Sequence, residues 1–483
     1  MSLAQNSSNV ALDTSETLFT VLTAINTCGY DAELSASDPL RTQIRAEVSK
    51  NIEASDEATQ ATQAMCEMYR NHQQAEPARN LAPYVSLALY LNAPPELTVK
   101  GKEADLPPDA TSLLGILPLI QKFYASAGLH AIWERHQEAY SALAERYHQP
   151  LSKMLFDTEI YLRLPSSGYL GRGFTVYLDP MGAPSQTNAR NYGTDYYVVI
   201  SPGPESTLKV EQIRHTYLHY LLDPLALKYP SAMERLKPLL DSVKGAPMDE
   251  GFKNDVSLLT TECLIRAIEA RTIGSKKTPE AERTQAVDDS VRQGFILTPY
   301  FYESLVQFEK GPEGLRNAFS EILNNVDVHK EEKRAAEVKF ARQADPELLH
   351  LSRPAEGKLL VTAEQRLSAG DSEAAQKLAQ QALDEKKEDA GRAYFILAQV
   401  ATMNRNIQGA RDYFERALGV TSEPKVVGWS HIYLGRIFDL QEERAAALDH
   451  YRAALNAAAM LPEIKAAAER GLAQPYEPPT HPQ

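Results

Sequence analysis

The chain has 483 residues, of which 43% are apolar and 24% charged, and a formal charge of −14 at neutral pH. That composition supports packed cores, and at about 150 residues per domain the length implies two to four units. The acidic balance, with no stripe of Lys and Arg, argues against a nucleic-acid-binding surface, and no window of about 18 consecutive apolar residues predicts a membrane span.

The opening residues, Met1-Ser2-Leu3-Ala4-Gln5-Asn6, hold neither a basic nor an apolar stretch, so no signal peptide is expected as written. A cytoplasmic protein and an exported mature form without its leader are equally compatible with that start. Residues 13–150 read as an N-terminal helical lobe. Asp13 and Glu16 bracket a helix start, Leu18, Val21, Leu22 and Ile25 recur at helical spacing, and Gly29 supplies a stop. Further helices are expected around 40–52, 58–71, 81–91, 112–127 and 130–147, with Ala93-Pro94-Pro95 and Leu106-Pro107-Pro108 as joints. His130, His136 and His148 share no face on adjacent turns and are expected to be structural. Cys28, Cys66 and Cys263 are too few and too scattered to predict a disulfide framework or a cysteine zinc site, and Cys263 is expected in a core.

Between about 156 and 202 the texture changes. Thr158–Leu164, Phe174–Leu178 and Asp195–Ile200 are rich in aromatic and β-branched residues and separated by Gly, Ser and Pro clusters, which predicts a small sheet. A helical segment follows from 208 to 345. Its first helix, 208–222, carries His215 and His219 and is expected to stop at Asp223-Pro224, because proline disfavours helix at the residue before it. Later helices are expected at 232–244, 251–271, 300–309 and 314–325. The aromatic cluster Tyr300-Phe301-Tyr302 is expected to pack, although a tyrosine there could serve an oxyanion.

At i and i+4, two imidazoles lie one turn apart and about 40° around the same helix face, so they can share one ion. Glu262 follows in a later apolar helix, 43 residues after His219. Asp223 is eight residues from His215, about 12 Å along the axis, and is not expected to share the ion. This pattern resembles the gluzincin clan of zinc metallopeptidases, and within it a bacterial family in which the histidine helix ends in an Asn-Pro or Asp-Pro step and the glutamate precedes an Arg-Ala pair. Asp223-Pro224 and Arg266-Ala267 match those features. The resemblance covers about residues 155–325 and implies a metallopeptidase-like α+β lobe, assigned to 151–345, with zinc bound by His215, His219 and Glu262. Arg266 would orient Glu262, and Glu269 is an alternative ligand.

The catalytic position departs from the family. Thr216 stands where the water-activating glutamate should follow the first histidine, and threonine is no general base at neutral pH. Glu211 and Asp223, a turn away on either side, lie too far along the axis to replace it. The resemblance therefore implies a degenerate peptidase that binds zinc and peptide or protein partners without efficient cleavage. An active zinc hydrolase with an unconventional base, or a metal-free interaction scaffold, are the other readings.

Residues 356–472 repeat. Ala375, Ala410 and Ala447 are separated by 35 and 37 residues, as are Ala382, Ala417 and Ala454, then Ala379, Phe414 and Tyr451, and finally Ala363, Ala398 and Gly435. The pattern resembles the tetratricopeptide repeat, whose helix pairs need small residues where they touch, and implies a C-terminal α-solenoid that recruits protein partners. The usual terminal proline is missing or displaced. Leu461–Leu472 would cap the array, and 473–483 is expected to be a disordered tail. The fold expected overall is mainly α with a small β-sheet.

Overall fold

The structure is a computed structural model that describes residues 10–74, 77–100, 106–164, 172–192, 195–203, 208–274, 279–344, 359–458 and 461–477. It is mainly helical, with one four-stranded sheet. The described residues open with strand β1 (Val10–Asp13), followed by helices α1 (Glu16–Thr27), α2 (Pro39–Glu53), α3 (Asp56–Arg70), α4 (Ala82–Leu89), α5 (Pro108–Thr111), α6 (Leu117–Ser126) and α7 (Leu129–Leu162). Ser15 caps α1 by accepting from the Leu18 amide, a contact that typically contributes about 1 kcal/mol. Gly29 then turns the chain at a φ of +92°, the stop its position predicts.

Two expectations for this region are corrected. Cys28, at the end of α1, is disulfide-bonded to Cys66 of α3, with Cα atoms 4.9 Å apart. Count and scatter argued against a pairing, but packing α1 against α3 brings these two within bridging range. The run Thr158–Leu164 is not a strand, because its first five residues close α7. Thr158 returns its hydroxyl to the Met154 carbonyl, and Arg163 ends the helix in the left-handed region at φ 47°. A domain boundary at 150 therefore falls inside one continuous helix. Along α7, Trp133 and Tyr140 belong to the N-terminal core, while Leu143, Tyr147 and Leu151 belong to the next.

Strand β2 (Gly173–Leu178) and β4 (Asp195–Ile200) form where the aromatic and β-branched runs predict them. Strand β3 (Thr187–Tyr192), reading Thr-Asn-Ala-Arg-Asn-Tyr, lacks that signal. The order is β1-β2-β4-β3, with β1 and β4 parallel to β2 and β3 antiparallel to β4. β1 thus joins a sheet whose other strands lie some 160 residues on, after the whole helical lobe. Tyr196, Val198 and Ile200 of β4 face the central core, while Val199 faces the N-terminal one.

Helices α8 (Val210–Leu227), α9 (Pro230–Leu236), α10 (Glu250–Asn254), α11 (Val256–Thr272), α12 (Glu280–Gln293), α13 (Thr298–Lys310), α14 (Leu315–Asn324) and α15 (Val328–Ala336) follow. Contrary to expectation, α8 does not stop at Asp223: Pro224 lies inside it. A proline removes the N–H that would bond the carbonyl four residues earlier. Here that carbonyl belongs to Tyr220, and the Arg172 guanidinium donates to it instead. Of the aromatic cluster, Phe301 is buried, Tyr300 donates to the Ile322 carbonyl and Tyr302 to Glu280.

The C-terminal region consists of three helix pairs, α16 (Leu359–Ser368) with α17 (Ser372–Glu385), α18 (Ala390–Met403) with α19 (Ile407–Val420), and α20 (Pro424–Leu440) with α21 (Arg444–Ala458), closed by α22 (Pro462–Ala473). All the residues aligned by the 35- and 37-residue intervals are buried. At Gly435 an added methyl would come within 2.7 Å of the Tyr451 ring, which is the reason for a small residue there. The turn inside each pair also repeats: Gly370, Arg405 and Glu442 occupy equivalent positions at φ 83°, 58° and 63°. Gln474–Glu477 of the expected disordered tail are described and held, the Tyr476 amide donating to Asp439; residues 478–483 lie outside the described residues.

Candidate metal centre

Helices α8 and α11 cross so that His215, His219 and Glu262 meet in the central core, and all three are buried. Each offers one ligand atom, and those atoms lie within 4.8 Å of one another. Among the described residues no other cluster of three such groups occurs. The His219 Nε2 lies 3.0 Å, and the His215 Nε2 3.4 Å, from the same Glu262 oxygen, Oε2. Two ligands about 2.0–2.2 Å from a tetrahedral ion stand about 3.3 Å apart, so these separations would allow the group to hold one metal ion.

Each ring is also held from behind. The His219 Nδ1 lies 3.0 Å from the Asp223 carboxylate, whose other oxygen accepts from the Tyr196 hydroxyl at 2.7 Å. The His215 Nδ1 lies 2.9 Å from Glu269. Carboxylates on both Nδ1 atoms fix each imidazole with Nε2 toward the centre, as outer partners of metal-bound histidines do. Arg266 donates its Nε–H to the remaining Glu262 oxygen at 2.6 Å and stacks over Phe295, a contact that suits holding Glu262 in place.

Two residues have other roles than the sequence suggested. Glu269, offered as an alternative ligand, holds the far side of His215. Asp223, judged a helix-end residue, lies within α8 and holds His219. Nothing in the spacing of Tyr196 announced its part, since the contact depends on how β4 packs on α8. Cys263 is fully buried and its thiol is pushed up to about 12 by that burial, which suits a core residue.

The charges are strongly coupled. Burial alone would lower the His215 imidazolium, but the Glu269 and Glu262 carboxylates beside it outweigh burial and push it up to about 10. Burial likewise opposes charge on His219, and Asp223 and Glu262 together more than offset it, so its pKa is raised. Burial would raise the Glu262 carboxyl, yet His215 and Arg266 hold it well below the usual carboxylate range. Without metal, protons satisfy this cluster. A divalent cation would displace them, because imidazole binds metal only when neutral.

Thr216 is buried beside the first histidine, its hydroxyl turned back to the Gln212 carbonyl at 3.4 Å. Glu211 is an exposed side chain paired with Arg214, and Asp223 is committed to His219 and Tyr196, so neither takes up the base position. His130 and His136 are paired with Glu16 and Glu47, as structural histidines. A second close pair, His431 of α20 and His450 of α21, meets through Nδ1 atoms 2.9 Å apart. Burial lowers both, His431 to about 4. Among the described residues no single helix is long and apolar enough to cross a membrane, although the bent pair 109–126 and 129–162 passes that test jointly while packed into the N-terminal and central cores. Comparison with protein-family models, curated proteins and solved structures finds no match.

Proposed function

We propose that this chain is a degenerate metallopeptidase-like protein that binds zinc through His215, His219 and Glu262 and engages peptide or protein partners without efficient cleavage. The observation that carries the reading is the convergence of two Nε2 atoms on one Glu262 oxygen, with a carboxylate behind each Nδ1. Two histidines and a carboxylate are the donor set of catalytic zinc sites, where the ion acidifies bound water and polarises a carbonyl. The chain's own residues then set the rate of any cleavage. A positioned base contributes about 10²–10⁴ in rate, and the Thr216 hydroxyl, bonded to its own helix, supplies none. The C-terminal helix pairs, with small residues at each contact and one turn geometry repeated, suit tetratricopeptide repeats that recruit partners.

The test is metal analysis of protein purified without added zinc, followed by hydrolysis of a broad peptide library. About one zinc per chain, lost on His215→Ala or His219→Ala, is expected; a wild-type protein without bound metal would leave only the scaffold reading. Thr216→Glu is expected to raise cleavage from a negligible level. Wild-type cleavage that the glutamate does not improve would instead favour a working hydrolase.

A further inference from the structure

The repeat array leans on the rest of the chain at three places. α16 packs against α8, and Thr362, Gln365 and Arg366 share a crevice with Ala226 and Leu227 at its end. α22 packs on β1 and β2. Between these points Lys425, at the start of α20, is ion-paired with Asp195, the first residue of β4. The contacts come from α16 and α20, the first helices of their pairs, and from the closing helix. Glu364 of α16 and Arg392 of α18 extend the row by a bidentate pair, both bonds 2.6 Å.

Asp195 is 7% exposed, and its second oxygen, Oδ1, has no hydrogen-bond partner among the described residues. Gly173 of β2 leaves room for that oxygen, since a methyl there would come within 2.9 Å of it. Lys425 is the cation in contact with it, and removing Lys425 would leave a desolvated carboxylate with no ion-pair partner but the more distant charge of Arg392. One residue along β4 the side chain points to the opposite face of the sheet. That residue is Tyr196, whose hydroxyl donates to Asp223, which in turn holds His219.

We propose that the C-terminal array is an internal clamp on the metal centre, with Lys425 a positioning residue that acts through Asp195 and Tyr196 on Asp223 and His219. This rests on the metal-binding reading given above. It also means that the polar row along the first helices is engaged by the chain's own sheet, so a partner would dock on another face of the array or displace the body from this one.

The test uses the full chain and two readouts: zinc affinity by competition with a chromophoric chelator, and amide hydrogen exchange over residues 219–223 without metal. Lys425→Met is expected to weaken zinc about tenfold, the lower end of the range for partners outside the ligand set, and to speed exchange. Tyr196→Phe should weaken zinc similarly, Lys425→Arg should restore it, and the Met and Phe losses should combine to less than their product, because both act on one contact chain. If Lys425→Met does not fold, Asp195→Asn carries the same expectation. Unchanged zinc affinity, or losses that multiply in full, overturns the clamp. A wild-type chain that binds no zinc overturns the metal reading instead, and the clamp is then judged on exchange alone: faster in Lys425→Met upholds it, unchanged exchange sinks it.

Discussion

His215 and His219 sit with ring centroids 5.3 Å apart on one helix, and His431 and His450 sit 5.2 Å apart on two. Equal proximity gives opposite chemistry. Around the first pair stand three carboxylates, and proton affinity rises. At the second pair burial outweighs the nearby acids and proton affinity falls, with the two imidazoles facing each other and Phe438 stacked on His450. Nearness of two rings thus does not set their proton affinity by itself; the acids behind and between the first pair make the difference.

The sharpest way to break the contrast is deletion. His219→Ala should abolish stoichiometric zinc, whereas His431→Ala and His450→Ala should leave metal content unchanged in elemental analysis. Next in size, Asp223→Asn or Glu269→Gln should weaken zinc by about 10–100-fold in a chelator competition, because each frees one imidazole without removing a ligand. A smaller effect belongs to the array. Ala410→Leu, at a fully buried helix contact, should destabilise it by about 1–3 kcal/mol in a denaturant titration while zinc content stays the same.

A last effect is graded with pH and opposite in sign at the two pairs. In metal-free protein the His215 imidazolium is favoured by folding. Its contribution is complete below the ordinary histidine value of about 6.5 and is lost as pH rises toward about 10. His431 is favoured neutral, so its contribution is present above about 6.5 and is lost as pH falls toward about 4. Replacing His215 by Gln should flatten the alkaline limb of a stability-against-pH curve, and replacing His431 the acid limb; a curve unmoved by both would contradict the assigned environments.

How much of this was legible in the sequence depends on range. The pairing of His215 with His219 follows from spacing along one helix and the repeat register from its intervals, whereas Glu262 and Arg266 come only through the resemblance; the structure brings His215, His219 and Glu262 together. The partners of the histidines depend on how separate elements meet. Tyr196 reaches Asp223 across the sheet-to-helix packing, and Asp223 faces His219 because α8 runs on through Pro224. That continuation depends on Arg172, 48 residues from the carbonyl it serves. β3 was invisible because its polar residues are satisfied from outside: Arg190 is fully buried and bonds Ser86 and the Ala82 carbonyl of the N-terminal lobe. The reverse error, Thr158–Leu164 as a strand, came from a β-like composition on the last turns of a long helix.

With Cys28 and Cys66 joined to each other, Cys263 is the chain's single remaining thiol, and it lies next to Glu262 in the helix that closes the site. Fully buried and held protonated, it is out of reach of alkylating reagents while α11 stays packed. The molecule therefore contains its own unfolding clock: the rate at which this one sulfur is labelled counts the openings of the core around α11.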